Sequence, residues 1–324
     1  MKPLAQMTET LPMTIHGGVV TTTTDVWSML TAARAGDLAT IKELVSRCPA
    51  LISCQYDYTS PLQFAVAEGH LDLVRYFVEN GGLDPNYRNH PFLEPLTTIA
   101  DDRGFDEIAN YLRESLDDPL LVHDLGDTGK IDHRYDVEQI AFQKAVDELR
   151  YDDVAQILVQ RPDLALMKNA FWGEGVMATA ANAGDRRMLE LLMSYGSTVP
   201  TLSKWGARYY FKHYDTAKFL IENGMDPNHM NWREFTLLHD FAFKADVEKV
   251  RLLLDHGADI DAIDDEYSST PLGYAAKWGN VEVANLFLER GADPEKADKP
   301  FATPIAWAIW NGHDEIIEIL NRAK

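Results

Sequence analysis

Apolar and polar positions along this chain recur as pairs of short amphipathic segments. The pattern is plainest between Thr270 and Asp298, where Leu272, Ala275 and Ala276 put a small apolar patch on one face of a first helix. Val283, Leu286 and Phe287, spaced i, i+3 and i+4, share one face of a second. Thr270 is an N-cap residue, and Pro271 suits a first helical position because its missing N–H would be unpaired there anyway. Gly279 and Gly291 end the two helices. Ala292-Asp293-Pro294 opens a polar, turn-rich stretch, and at Thr303-Pro304-Ile305 the pattern begins again. The predicted unit is helix, turn, helix, extended finger.

T-P-L at Thr270 to Leu272, A-A-x-x-G at Ala275 to Gly279 and G-A-D-P at Gly291 to Pro294 resemble the signature of the ankyrin repeat, which has a period of about 33 residues. The resemblance covers almost all of the chain after Asp25. It implies an all-α ankyrin-repeat solenoid: stacked helix-turn-helix units with hairpin or finger loops along one edge.

With the turn glycine or its equivalent as a ruler, nine units fit: Gly36, Gly69, Gly104, Leu149, Gly184, Lys212, Ala245, Gly279 and Gly312. Subtracting neighbours gives steps of 33, 35, 45, 35, 28, 33, 34 and 33 residues. The long step marks an Asp- and Gly-rich insertion over 117–136, a candidate bend between repeats one to three (25–116) and repeats four to nine (137–324). Residues 1–24 are Thr-rich, lack a helical period and are expected to form a loose arm, with an added strand as the alternative. In the last repeat, Asp314, Glu315, Glu318, Asn321, Arg322 and Lys324 can supply the polar outer face of a cap.

Composition narrows the partners. Of the 324 residues 46% are hydrophobic, enough for a continuous core, and a formal net charge of −21 disfavours nucleic acid and anionic membranes. Cys48 and Cys54 are too few for a disulfide framework, which with the lack of a signal-peptide pattern or long apolar run leads to the expectation of a cytoplasmic protein.

The resemblance also implies that the two residues before each turn glycine face the groove where most family members bind partners. The last four such pairs here are Tyr210-Phe211, Phe243-Lys244, Lys277-Trp278 and Trp310-Asn311, each with an aromatic. Trp232 and Tyr267 lie just before first helices. Tyr210, Phe211, Trp232, Phe243, Lys244, Tyr267, Lys277, Trp278 and Trp310 are therefore the candidate partner-binding residues, set against the alternative that the rings pack between repeats. Lys244 and Lys277 favour a partner peptide with acidic and apolar residues. Rings in so acidic a chain also raise the alternative of a cage for a cation such as methylated lysine.

Signals for chemistry are weak. His123, Asp124, Asp127, His133 and Asp136 in the insertion lack strict metal-ligand spacing and read as a solvated loop. His239 fills the histidine position of T-P-L-H, and His70 and His313 follow turn glycines, all structural places in the resemblance. No nucleophile elbow, phosphate-binding glycine loop or zinc-protease motif occurs. The reading is a non-enzymatic protein-interaction module, with scaffolding as one use, needing no cofactor. The alternative is an enzyme or a small-ligand or metal binder using the insertion and the aromatic groove, and self-association of the array is a third possibility.

Overall fold

The computed structural model describes residues 1–3, 5–118, 120–123, 130–131, 137–167, 175–199 and 209–323. It divides into two units, Ala5–His133 and Arg134–Lys324, the latter joined by Met1–Leu4. The division falls inside the 117–136 insertion.

The first unit begins with α1 (Ala5–Thr8), β1 (Pro12–Thr14) and β2 (Val20–Thr22), followed by the helix pairs α2 (Thr23–Ala35) and α3 (Leu38–Arg47), α4 (Pro61–Ala67) and α5 (Leu71–Glu79), and α6 (Leu96–Asp102) and α7 (Asp106–Leu116). It ends with β3 (Lys130–Ile131), and the small antiparallel sheet has the order β2-β1-β3, with Met13 opposite Thr21 and Ile131. The arm expected to be loose is therefore ordered. Met7, Met13 and Ile15 are buried, and the Thr22 side chain caps α2 by accepting from the Asp25 N–H. A Thr-rich stretch without helical period hid three buried apolar side chains, of which Met13 is on the sheet.

In the second unit the pairs are α8 (Val137–Asp147) with α9 (Tyr151–Gln160), α10 (Val176–Ala183) with α11 (Arg186–Ser194), then α12 (Tyr214–Glu222), the second helix of the sixth repeat. The series continues with α13 (Leu237–Phe243) and α14 (Val247–Asp255), α15 (Pro271–Lys277) and α16 (Val281–Glu289), and α17 (Pro304–Asn311) and α18 (Asp314–Ala323). First helices stack on first helices, and α14, α16 and α18 on one another. Val283, Leu286 and Phe287 are all buried, as their spacing predicts. Each fully buried side chain of that size contributes about 1.5–3 kcal/mol.

Local chemistry fixes the turns. The ruler positions Gly36, Gly69, Gly104, Gly184, Gly279 and Gly312 all have φ between +71° and +79°. Leu149 (φ +55°) and Ala245 (φ +56°) hold the same left-handed turn without glycine, whereas Lys212, the remaining ruler position, is not left-handed, so the shortened sixth repeat departs from the turn that the ruler predicts. Caps follow the sequence: Ser60, Thr270 and Thr303 accept from the N–H groups of Gln63, Gly273 and Ala306. In three repeats a histidine after the turn ties the repeat to its predecessor, His70 Nε2 lying 2.9 Å from Arg34 O, His213 Nε2 3.1 Å from Asn182 O and His313 Nε2 3.1 Å from Lys277 O. Successive fingers are joined in the same way: Asp259 N–H donates to Asn228 Oδ1 and Asp293 N–H to Asp261 Oδ1.

These turns make a paired prediction. Ala245→Gly, which relieves a left-handed alanine, is expected to raise stability in chemical denaturation by about 0.5–1 kcal/mol. Gly279→Ala is expected to lower it by about 1–3 kcal/mol, because its new Cβ would stand 2.8 Å from the His313 ring. Equal effects from the two changes would count against the turn geometry.

Candidate partner-binding groove

The nine candidate residues separate by burial. Tyr210, Phe211, Trp232 and Tyr267 are at most 1% exposed and Lys277 is 5% exposed, so these five are core and not surface. Phe211 packs on Phe241 at 5.7 Å between ring centroids, and Tyr210 meets the His229 ring edge-on at 6.4 Å. Phe243 and Trp278 are half-buried, and Lys244 and Trp310 are exposed. The stripe expected from sequence is thus two populations: rings that fill the space between repeats, and a smaller set at the surface. The reason is the stacking itself. Tyr210, Phe211 and Lys277 are covered by rings further along the chain, His229, Phe241 and Trp307, while Phe243 is met by Trp278 and stays half-exposed.

Lys277 shows this most clearly. Its Nζ lies 4.5 Å from the Trp307 ring centroid, 4.8 Å from that of Tyr267 and 5.2 Å from that of Trp278. The ammonium is thus held by three rings inside the chain, where cation–π attraction is strengthened by the exclusion of water. An aromatic cage does exist, and its occupant is the protein's own lysine. Tyr267 stands edge-on to Tyr274, Trp278 and Trp307 at 5.5 to 5.7 Å, and Tyr274 stacks on Trp278 at 5.3 Å.

A buried carboxylate organises these rings. Asp264 Oδ2 accepts from the Tyr274 hydroxyl at 2.6 Å and from the N–H groups of Glu266 and Tyr267, while Oδ1 accepts from Ser269 N–H. Burial, and after it the Asp264 charge, push the Tyr274 hydroxyl well above the usual tyrosine pKa, which keeps it a donor. Ser269 Oγ–H donates to Ala302 O and accepts from Trp307 Nε1–H, which fixes the indole against the finger. One repeat earlier, His239 Nδ1 accepts from Thr236 N–H and its Nε2 lies 3.1 Å from Ser269 O, closing a capping box and reaching the next finger. Burial lowers the His239 pKa, so the ring folds neutral. Sequence reading missed Asp264, Tyr274 and Trp307. The last two occupy the same place, four residues after the capping threonine, a spacing of 33 that was available as a signal.

At the surface, Phe243 and Trp278 meet edge to face at 4.9 Å on adjacent repeats. Lys244 Nζ is 2.5 Å from Asp240 Oδ2, so its charge is directed inward. Asp124, Asp127, His133 and Asp136 lie outside the described residues. His123 is described, and its N–H donates to Leu83 O. Among the described residues no group of three or more His, Cys, Asp or Glu side chains is placed to hold a metal ion, and no helix is long and apolar enough to cross a membrane.

Two outcomes are expected from the core assignment. Lys277→Met keeps the volume and removes the charge from among the rings, and is expected to lower stability by about 1–2 kcal/mol in urea titration. His239 folds neutral with a lowered pKa, so the unfolded chain takes up its proton first as pH falls below about 6.5, and stability declines from there toward the folded pKa. His239→Gln is expected to flatten that part of the stability profile between about pH 7 and pH 5.5.

Comparison with known proteins agrees with this construction. A family model described as ankyrin repeats (3 copies) matches residues 204–298, and a single ankyrin-repeat model matches residues 57–90. The chain is 44% identical over 73 residues to the ankyrin repeat protein nuc-2 of Neurospora crassa, covering 22% of this chain and 7% of that protein. It is 46% identical over 61 residues to the mouse 2-5A-dependent ribonuclease, covering 19% and 8%. It is 28% identical over 238 residues to alpha-latrocrustotoxin-Lt1a of Latrodectus tredecimguttatus, covering 71% and 14%. The chain therefore spans well under a fifth of the length of each of these relatives. A solved ankyrin repeat domain from Acinetobacter baumannii aligns over 57% of this chain and 98% of its own with a TM-score of 0.49 and 22% identity. Ankyrin repeats are in general protein-interaction modules without catalytic activity. With its signature at the matched segments and its helix pairs turned at the expected residues, this chain is an ankyrin-repeat protein.

Proposed function

We propose that this chain is a non-enzymatic protein-interaction module whose partner lies across the first helices of repeats seven to nine, against Phe243 and Trp278, with Lys244 and Trp310 at the margins. The observation that carries the reading is the Phe243–Trp278 pair, two large rings in edge-to-face contact that span adjacent repeats and remain half-exposed. Aromatic side chains of this kind supply a large share of interface energy when a partner finishes burying them. Tyr210, Phe211, Trp232 and Tyr267 support the surface from beneath and do not touch the partner.

The expectation of acidic residues in the partner loses its support, since Lys277 is enclosed by rings and Lys244 is paired with Asp240. What remains is an apolar contact on a strongly acidic protein. Interaction in this form is compatible with scaffolding, inhibition or delivery.

The test is affinity capture from native lysate with the wild type beside a Phe243→Ala, Trp278→Ala variant, its helicity checked by circular dichroism. A partner held by the wild type and weakened about tenfold or more in a folded variant is expected. A partner held equally by both sinks the groove reading.

A further inference from the structure

The small sheet of the first unit has an edge that no other described residue pairs. Its strand order is β2-β1-β3, so β2 (Val20–Thr22) is bonded on one side only. The register sets Val20 opposite Thr14 and Thr22 opposite Pro12, while Ile15 N–H donates to Val19 O at 2.9 Å and Thr23 N–H to Leu11 O at 3.0 Å. Bonded and unbonded pairs alternate along an antiparallel ladder, so Val20 and Thr22 fall at the unbonded places and their backbone groups point away from β1. The Thr22 carbonyl is taken up by the helix that Thr22 caps, which leaves the Val20 N–H and C=O and the Thr22 N–H along the edge.

Edges of this kind are usually blunted by a lysine, a proline, a bulge or a covering loop. The strand on the far side, β3, begins with Lys130. β2 carries no such residue: it reads Val-Thr-Thr after Val19, and Val19 and Val20 are 38% and 63% exposed. A cleft of about 750 Å³ lies along it. Val19 to Thr22 line the sheet side, Cys48, Pro49 and Leu51 line the side formed by the first repeat, and Asp25 and Arg47, an ion pair at 3.1 Å, border it. The cleft thus joins an apolar lining to a backbone donor and acceptor set side by side.

We propose that this cleft takes an extended peptide segment of a partner protein, which adds to β2 as a fourth strand of the sheet. The hydrogen-bond pattern names the occupant. A residue opposite Val20 exchanges both N–H···O bonds with it, and only extended backbone sets a donor and an acceptor in that arrangement. Alternate side chains of the segment then face the apolar lining at Pro49 and Leu51, so it is rich in β-branched residues on one face. The wall formed by the first repeat leaves room for one strand and not for the further strands of a partner sheet, and the formal charge of −21 disfavours a second copy of this chain. With only three backbone groups on offer, the affinity is modest, of order 10–100 µM. The cleft lies in the first unit and is independent of the Phe243 and Trp278 rings.

The test is titration of the full chain with the capped peptide Thr-Val-Thr-Val-Thr, followed by NMR at the Val20 and Thr22 amides. Two analogues are run beside it, one N-methylated at residues 2 and 4 and the other at residues 1, 3 and 5. The expected result is saturable binding that shifts both amides, is lost about tenfold or more in one analogue and is kept in the other, because alternate N–H groups face the edge. Val20→Pro, which removes the outward N–H at a place where β1 does not use it, is expected to weaken binding about tenfold or more. Val20→Lys, a charge at an exposed edge position that leaves the fold intact, is expected to do the same and decides the matter if the proline disturbs the hairpin. The Phe243→Ala, Trp278→Ala variant is expected to bind as the wild type does. No binding up to about 1 mM would overturn the proposal. So would two analogues that behave alike, or binding that ignores Val20→Lys, since either would mean that the cleft holds side chains without adding a strand.

Discussion

No helix pair in this protein has a core of its own. Each presents an apolar face that only the neighbouring pair removes from water, and this nearest-neighbour burial is the constraint on which the array depends. Leu272, Ala276 and Ala284 are sealed by the following repeat, and the buried faces of that repeat are completed by them in turn. Two short helices of seven and nine residues, such as α15 and α16, would be marginal alone. Stacking makes them stable.

Burial alone does not fix register, because one apolar ridge slides easily over another. Directed hydrogen bonds between repeats do. The histidines at 70, 213 and 313 bond to backbone carbonyls of the preceding repeat, and His239 reaches the finger ahead at Ser269. Asp264, satisfied on both oxygens, then sets the positions of Tyr267 and Tyr274, and Ser269 sets Trp307. A buried carboxylate left without those donors would be strongly destabilising, so the finger closes around it in one way. The ring cluster and the enclosed Lys277 follow from that closure.

The same geometry decides which aromatics face outward. A side chain on a first helix is covered where the next repeat closes a large group over it, as Trp307 does for Lys277. It stays at the surface where no such group stands above it, as at Trp310. The Phe243–Trp278 pair sits between these cases, buried on one side and open on the other. An interaction surface on such a scaffold is therefore a remainder of the packing, and its chemistry is apolar because the nearby cations have been drawn inward.

By itself the sequence determined the repeat, its period, the capping threonines and prolines, the apolar spacing of the second helices and the structural places of His70, His239 and His313. These depend on neighbours within a few residues, where spacing translates directly into a shared helix face. It also located the turns at Leu149 and Ala245 without a glycine to mark them, because the period carried the position. Only the tertiary structure decided that residues 1–24 form a sheet-bearing, partly buried segment, since pairing with Lys130–Ile131 is not a local property. Only it divided the nine candidate residues into core and surface, and showed that Lys277 fills the cage its neighbours make. Exposure in a stacked array is set by the side chains of the adjacent repeat some 33 positions away, and a pattern read along one helix does not contain them.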